Sequence, residues 1–382
     1  MRWPIGIALL IAIVPATTIA CADNVATRRS PAISASPTTQ TKQAGPDVRV
    51  VGRFRLGNDV EAISGDQNRI VFGSKEHGDL DDASVISVDI RTGSRTRVAH
   101  SEFPHGMVNW AGATGDWTVF TDQSHIQGNS GMDVFWRVVA VNPARHERRV
   151  LLSNGNKPDP WVPWLSSSDD YVYWSSAEPD TKHTAHEWLF HDGWSTPRTL
   201  LSHAVLTPGS ESIAAGRMVY LGASAATTPG KHVGGDCWTV PLTDGKPTPV
   251  THTGLANGCA SDGSWVAWNE LIAPGSKPVP KEGYLDNPFE VWAQRVGNDN
   301  PEILERGYTA GGWPIVQNGF AIYWSMDGHR VIQDLSDPTL VTRLHTAAWD
   351  LGAPVGGLLA FPDPVGRKFY QFVDIDQVSR AR

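Results

Sequence analysis

Long helical patterns, basic charge and long apolar runs are all scarce in this sequence. Charged residues form 19% of the 382 residues, below the quarter usual in soluble domains. Acidic side chains outnumber basic ones, 40 to 32, for a net charge of -8. Such a chain offers no strongly basic face, so a nucleic-acid partner is not expected. No long stretch places apolar residues at helical spacing, which excludes repeats built from helix pairs. Only three cysteines occur, and none stands in a Cys-x-x-Cys-His haem site. A Gly-x-Ser-x-Gly elbow, a phosphate-binding loop and a dinucleotide fingerprint in a strand–helix context are absent too. The usual serine hydrolase, nucleotidase and dehydrogenase sites therefore drop out.

What is present begins with a leader. Arg2 precedes an apolar run from Ile5 to Val14, and small residues follow up to Thr18-Ile19-Ala20-Cys21. A positive start, a short apolar centre and a small-residue exit predict a signal peptide over residues 1–20. The run is too short to span a bilayer, which takes about 20 apolar residues. The last four residues resemble a bacterial lipobox, with Thr18 where that motif usually has leucine. The resemblance implies lipidation at Cys21. Ordinary cleavage behind Ala20 is the alternative. Either route carries the chain out of the cytoplasm, to the periplasm or the cell surface, with membrane contact through a lipid anchor only. Residues 21–47 are rich in Ser, Thr, Pro, Ala and Gln, with Val25 and Ile33 as the larger aliphatics. Such a segment cannot bury enough apolar surface to offset its ordering entropy and is expected to act as a disordered tether.

From residue 48 onward the chain repeats. A Gly/Asp/Asn/Ser turn followed by a short apolar and aromatic run occurs seven times. The copies span 68–72, 116–120, 170–174, 216–220, 264–268, 319–324 and 356–361. Dividing residues 48–382 by seven gives about 48 residues per copy, a period typical of propeller blades. Each copy continues with an alternating strand, a turn and a last strand, the pattern of β-hairpins. These repeats resemble the TolB-like and WD40-like β-propeller repeats of exported bacterial proteins. The single Trp-Asp pair, Trp349-Asp350, departs from true WD40 repeats. The resemblance implies an all-β, seven-bladed propeller over residues 48–382. Six and eight blades stay open, because the copies differ in length. The seventh copy shows three strands, and residues 48–56 read as the missing outer strand that would close the ring. Closure would remove an exposed sheet edge.

With Cys21 lipidated, Cys237 and Cys259 remain as a pair in an oxidising compartment. They fall at one rim, in the third strand of the fourth copy and the first strand of the fifth, where a disulfide is expected. Two buried thiols are the alternative.

The connections between second and third strands are the long ones and emerge on one rim. Binding normally resides on such a face. Candidate rim residues are Asp122, His125, His183, His186, Asp236 and Glu270, with Trp110, Trp164, Trp313 and Trp349 at or near first strands that line the channel. Tryptophans at a channel mouth could stack on sugars or clamp a peptide, although propellers also wedge such rings between blades. Trp268, Trp292 and Trp324 are expected in the core. The pair His183-x-x-His186 lacks the His-Glu-x-x-His order of zinc hydrolases, and scattered loop histidines are more often solvated than ligating. No cofactor is therefore expected. The leading expectation is a non-catalytic binding or scaffold role at the cell envelope, toward an envelope protein or a cell-surface glycan. The alternative is a propeller lyase or hydrolase acting on uronate polysaccharide, with a divalent metal held by rim histidines.

Overall fold

Each repeat folds into one antiparallel sheet of four strands, and seven such sheets make the ring. The structure is a computed structural model. It describes residues 49–56, 60–75, 83–124, 134–155, 157, 162–168, 170–177, 184–204, 211–223, 235–243, 245–271, 289–307, 313–325, 330–344, 353–355, 357–362 and 369–374. Cys21, the tether, His125, His183 and Trp349 lie outside the described residues.

The N-terminal strand β1 (Arg49–Arg55) belongs to the last blade. Blade 1 follows as β2 (Val60–Gly65), β3 (Arg69–Lys75), β4 (Ala83–Asp89) and β5 (Arg95–His100). Blade 2 is β6 (Met107–Thr114), β7 (Trp117–Gln123), β8 (Trp136–Asn142) and β9 (Glu147–Ser153). Blade 3 is β10 (Trp164–Ser168), β11 (Tyr171–Ala177), β12 (Thr184–His191) and β13 (Arg198–Ala204). Blade 4 is β14 (Ser212–Ala214), β15 (Arg217–Gly222), β16 (Asp236–Pro241) and the two-residue β17 (Thr248–Pro249). Blade 5 is β18 (Ala256–Ser261), β19 (Trp265–Leu271), β20 (Phe289–Arg295) and β21 (Glu302–Gly307). Blade 6 is β22 (Ile315–Gln317), β23 (Phe320–Trp324), β24 (Arg330–Asp334) and β25 (Val341–Leu344). Blade 7 is β26 (Ala353–Val355), β27 (Leu358–Pro362) and β28 (Phe369–Asp374), with β1 paired antiparallel to β28. Arg55 sits opposite Phe369 and Arg49 opposite Asp374. The fold is thus a seven-bladed propeller closed by its N-terminal strand.

Local sequence explains the strand types. Second strands lie inside the sheet with blades on both faces, so they read as continuous apolar runs. All seven residues of β7 are buried. Outer strands face solvent on one side and alternate, as β9 does with Arg148, Val150 and Ser153 exposed. The turn between first and second strands is tight. At Asn318-Gly319 both residues have positive φ, 54° and 81°, the twist that suits a two-residue hairpin.

The core sits between neighbouring blades. One cluster joins Trp117, Val119 and Trp136 of blade 2 to Leu165, Val172, Trp174 and Phe190 of blade 3. Trp268 and Trp324 are buried as expected, while Trp292 is partly buried and stacks on Trp268. Cys237 and Cys259 form a disulfide that ties β16 of blade 4 to β18 of blade 5.

Candidate functional site

The starts of first strands, the ends of second strands and the starts of third strands meet at one rim. Trp164 opens β10, Trp110 lies within β6, and Trp313 stands two residues before β22. These come from blades 3, 2 and 6, yet they meet. Trp110 and Trp164 stack with ring centroids 5.3 Å apart and planes 24° from parallel. Trp164 and Trp313 lie 6.1 Å apart, tilted by 43°. The three rings therefore bridge the channel mouth. Trp164 is 41% exposed, while its two neighbours are half-buried.

Backbone geometry seats this stack. Gly258 of β18 has φ +89°, and a Cβ placed there would lie 1.9 Å from Trp313 Cδ1. Only a residue without a side chain lets the indole lie against that strand. Trp110 falls where β6 shifts register between Val108 and Ala111, and such bulges re-aim side chains. Deeper along β10, Ser167 Oγ lies 2.6 Å from Ser64 Oγ of β2. Inner strands of blades 1 and 3 thus touch near the far end of β10.

The rim acids divide. Asp122 is the penultimate residue of β7 and is fully buried. Ser101 Oγ donates to its Oδ1 at 2.6 Å, and Arg137 donates Nε and Nη2 to its Oδ2 at 3.0 and 2.8 Å. Asp236 is also buried. It accepts from Thr251 Oγ1 and from the Gly254 N–H, both at 3.0 Å. Both carboxylates thus fasten an inter-blade connection to a strand, and neither is offered to solvent as a rim acid would be. His186 lies in strand β12 instead of a loop, because β12 starts earlier than the sequence pattern suggests. Its Nδ1 is 2.7 Å from Ser202 Oγ.

Glu270 stays partly exposed near the end of β19. Burial pushes its carboxyl up, opposed by the hydrogen bond from Trp268 Nε1 at 3.1 Å and by one from Thr253, while Glu290 and Asp236 add to the rise. Among the described residues no group of three or more His, Cys, Asp and Glu is arranged to hold a metal ion.

A second polar cluster escaped the sequence reading. Glu187 of β12, fully buried, meets Ser175 of β11 and His203 of β13, with Glu211 and Tyr220 facing it from blade 4. The cross-strand pairing of Glu187 with Ser175, and that of Ser175 with Trp164, places the three in one row across blade 3.

No protein-family model matches this sequence, and no curated protein matches it. Solved structures do share the fold. The β-propeller domain of the Trilobed protease from Pyrococcus furiosus is 10% identical, with 87% of this chain and 99% of that chain covered and a TM-score of 0.54. That domain is described as having an open velcro topology, whereas here β1 closes the ring. An oligogalacturonate lyase in complex with manganese is 12% identical over 88% of this chain and 95% of that one, with a TM-score of 0.48. The tricorn protease is 11% identical, with a TM-score of 0.49. The match spans 75% of this chain and only 30% of that one. At 10% identity the likeness to the Trilobed propeller domain shows the propeller fold and nothing of activity.

Proposed function

We propose that this chain is an exported binding propeller that takes a cell-surface glycan at the channel mouth. The protein is held to the membrane through Cys21 and the tether that follows it. One observation supports the binding reading above others: Trp164 presents an exposed indole backed by Trp110 and Trp313. A rigid aromatic platform gains by covering the apolar face of a sugar ring, and its own stacking keeps the entropic cost of binding low. The described rim acids Asp122 and Asp236 add no free carboxylate beside it, since both are consumed internally. An envelope protein docking on the same platform would use the same indole as an anchor.

Glycan-array binding by the full chain, repeated with Trp164→Ala, tests this. Removing a central tryptophan anchor typically costs about 2 kcal/mol or more, so affinity should fall at least about thirtyfold. The melting temperature should change little, because Trp164 is substantially exposed. No glycan captured, together with turnover of uronate oligosaccharides that EDTA abolishes, would overturn the proposal in favour of a metal-dependent lyase. Capture of glycans that ignores Trp164 would move the site elsewhere on the rim.

A further inference from the structure

The row that begins at Trp164 runs outward into a buried polar chain with no part in the binding reading. Ser175 Oγ lies 2.8 Å from Glu187 Oε2 and 2.7 Å from Glu211 Oε1. The other Glu187 oxygen, Oε1, lies 2.7 Å from His203 Nε2. Ser175 is 4% exposed and Glu187 is 0% exposed. Three strands of blade 3 thus contribute Ser175, Glu187 and His203, while Glu211 immediately precedes β14 of blade 4. Tyr220 of β15 packs its ring 4.6 Å from the His203 ring. Burial, and then the charge of Glu187, push the Tyr220 hydroxyl up to about 12, so it stays neutral at physiological pH. Tyr173 of β11 reaches the same junction and donates its hydroxyl to the Glu211 carbonyl at 3.2 Å.

The protons at this junction can be counted. A serine hydroxyl carries one hydrogen and an ionised carboxylate carries none. Ser175 Oγ can therefore donate to only one of the two carboxyl groups that contact it. The other contact is a hydrogen bond only if that carboxyl brings its own proton. His203 Nε2 already occupies the second oxygen of Glu187. The extra proton accordingly belongs on Glu211.

We propose that blades 3 and 4 are latched by a proton held on Glu211. Glu211 donates to Ser175 Oγ, Ser175 donates to Glu187, and Glu187 accepts from His203. Loss of the proton sets two carboxylates against one hydroxyl and loosens the junction. The latch is therefore pH-sensitive. The folded protein binds the proton more tightly than an unfolded glutamate, whose pKa is about 4.3. The stabilisation is complete below that pH and is lost as pH rises through the folded value. Because Ser175 pairs with Trp164 across β10 and β11, the latch also braces the strand that carries the exposed platform. The proposal stands whether or not that platform binds a glycan.

Chemical unfolding of the full chain between pH 5 and pH 8, compared with Glu211→Gln, is the test. The glutamine amide donates to Ser175 without needing a bound proton. The unfolding constant of the wild type should rise about tenfold more per pH unit than that of the variant, up to the folded value, as one bound proton requires. Parallel pH profiles would overturn the proposal. Should Glu211→Gln fail to fold, the carboxyl ¹³C resonance of Glu211 in the wild-type full chain, followed from pH 4 to pH 8, decides. Titration well above the ordinary glutamate range supports the latch, and titration within that range refutes it.

Discussion

Glu270 and Asp122 occupy matching places near the ends of second strands, yet their surroundings differ. Asp122 is neutralised by the Arg137 guanidinium and covered. Glu270 receives one indole N–H and one hydroxyl bond, and its carboxyl is pushed up by burial. The sign follows: a raised folded value stabilises when protonated, and that stabilisation fades as pH rises. Glu270→Gln keeps an oxygen for Trp268 and cannot ionise. Thermal melts should show the variant more stable than wild type at pH 7 to 8, with the two converging toward about pH 4, near the unfolded value. A constant offset across that range would refute the assignment. Residue type alone marked these acids as rim candidates. It could not show that Ser101, Thr251 and Gly254 fold back as donors, because those partners come from inter-blade connections and not from the strand itself. Glu187 was missed for the same reason, since a lone glutamate after His186 carries no signal until His203 and Ser175 are placed beside it.

At the scale of the strand, β18 shows how a backbone irregularity serves a distant side chain. Its register shifts between Ala256 and Cys259, Gly258 takes a left-handed φ, and Trp313 fills the space. Gly258→Ala would meet both a steric clash and a positive φ, for which an L-residue costs roughly 1–2 kcal/mol. Denaturant unfolding should show at least that loss, and tryptophan emission should shift as Trp313 is displaced. Unchanged emission would mean that Trp313 does not lean on this glycine. The strand types themselves were legible in sequence. Apolar runs marked second strands, and alternation marked outer ones, because burial on two faces or one writes directly into residue pattern. Strand ends were less legible. Polar residues near a rim, His186 among them, resemble turn composition even when their backbone is paired.

The whole ring depends on a pairing between its extremes. Strand β1 supplies the outer edge of blade 7, covering β28 along register pairs from Arg49–Asp374 to Arg55–Phe369. Phe54 packs edge-on against Phe372 within that blade. Deleting residues 49–55 would leave β28 as a bare edge, and bare edges invite pairing between molecules. The truncated chain should melt lower and form oligomers that grow with concentration in size-exclusion chromatography. A monomer with unchanged melting would refute the role of β1 as the closing strand.

The repeat, its period of about 48 residues, the strand character of each unit and the complementarity of the two ends can all be read along the chain. All of these are written in local composition and spacing, which act along the chain. Which residues meet depends on the folded ring. Trp110, Trp164 and Trp313 share no local pattern, and they converge because closure of the ring turns their blades toward one mouth. Glu187 and Glu211 are brought to one hydroxyl by the packing of blade 3 on blade 4. Contacts across a closed ring depend on blade number and register, and no single repeat carries that information.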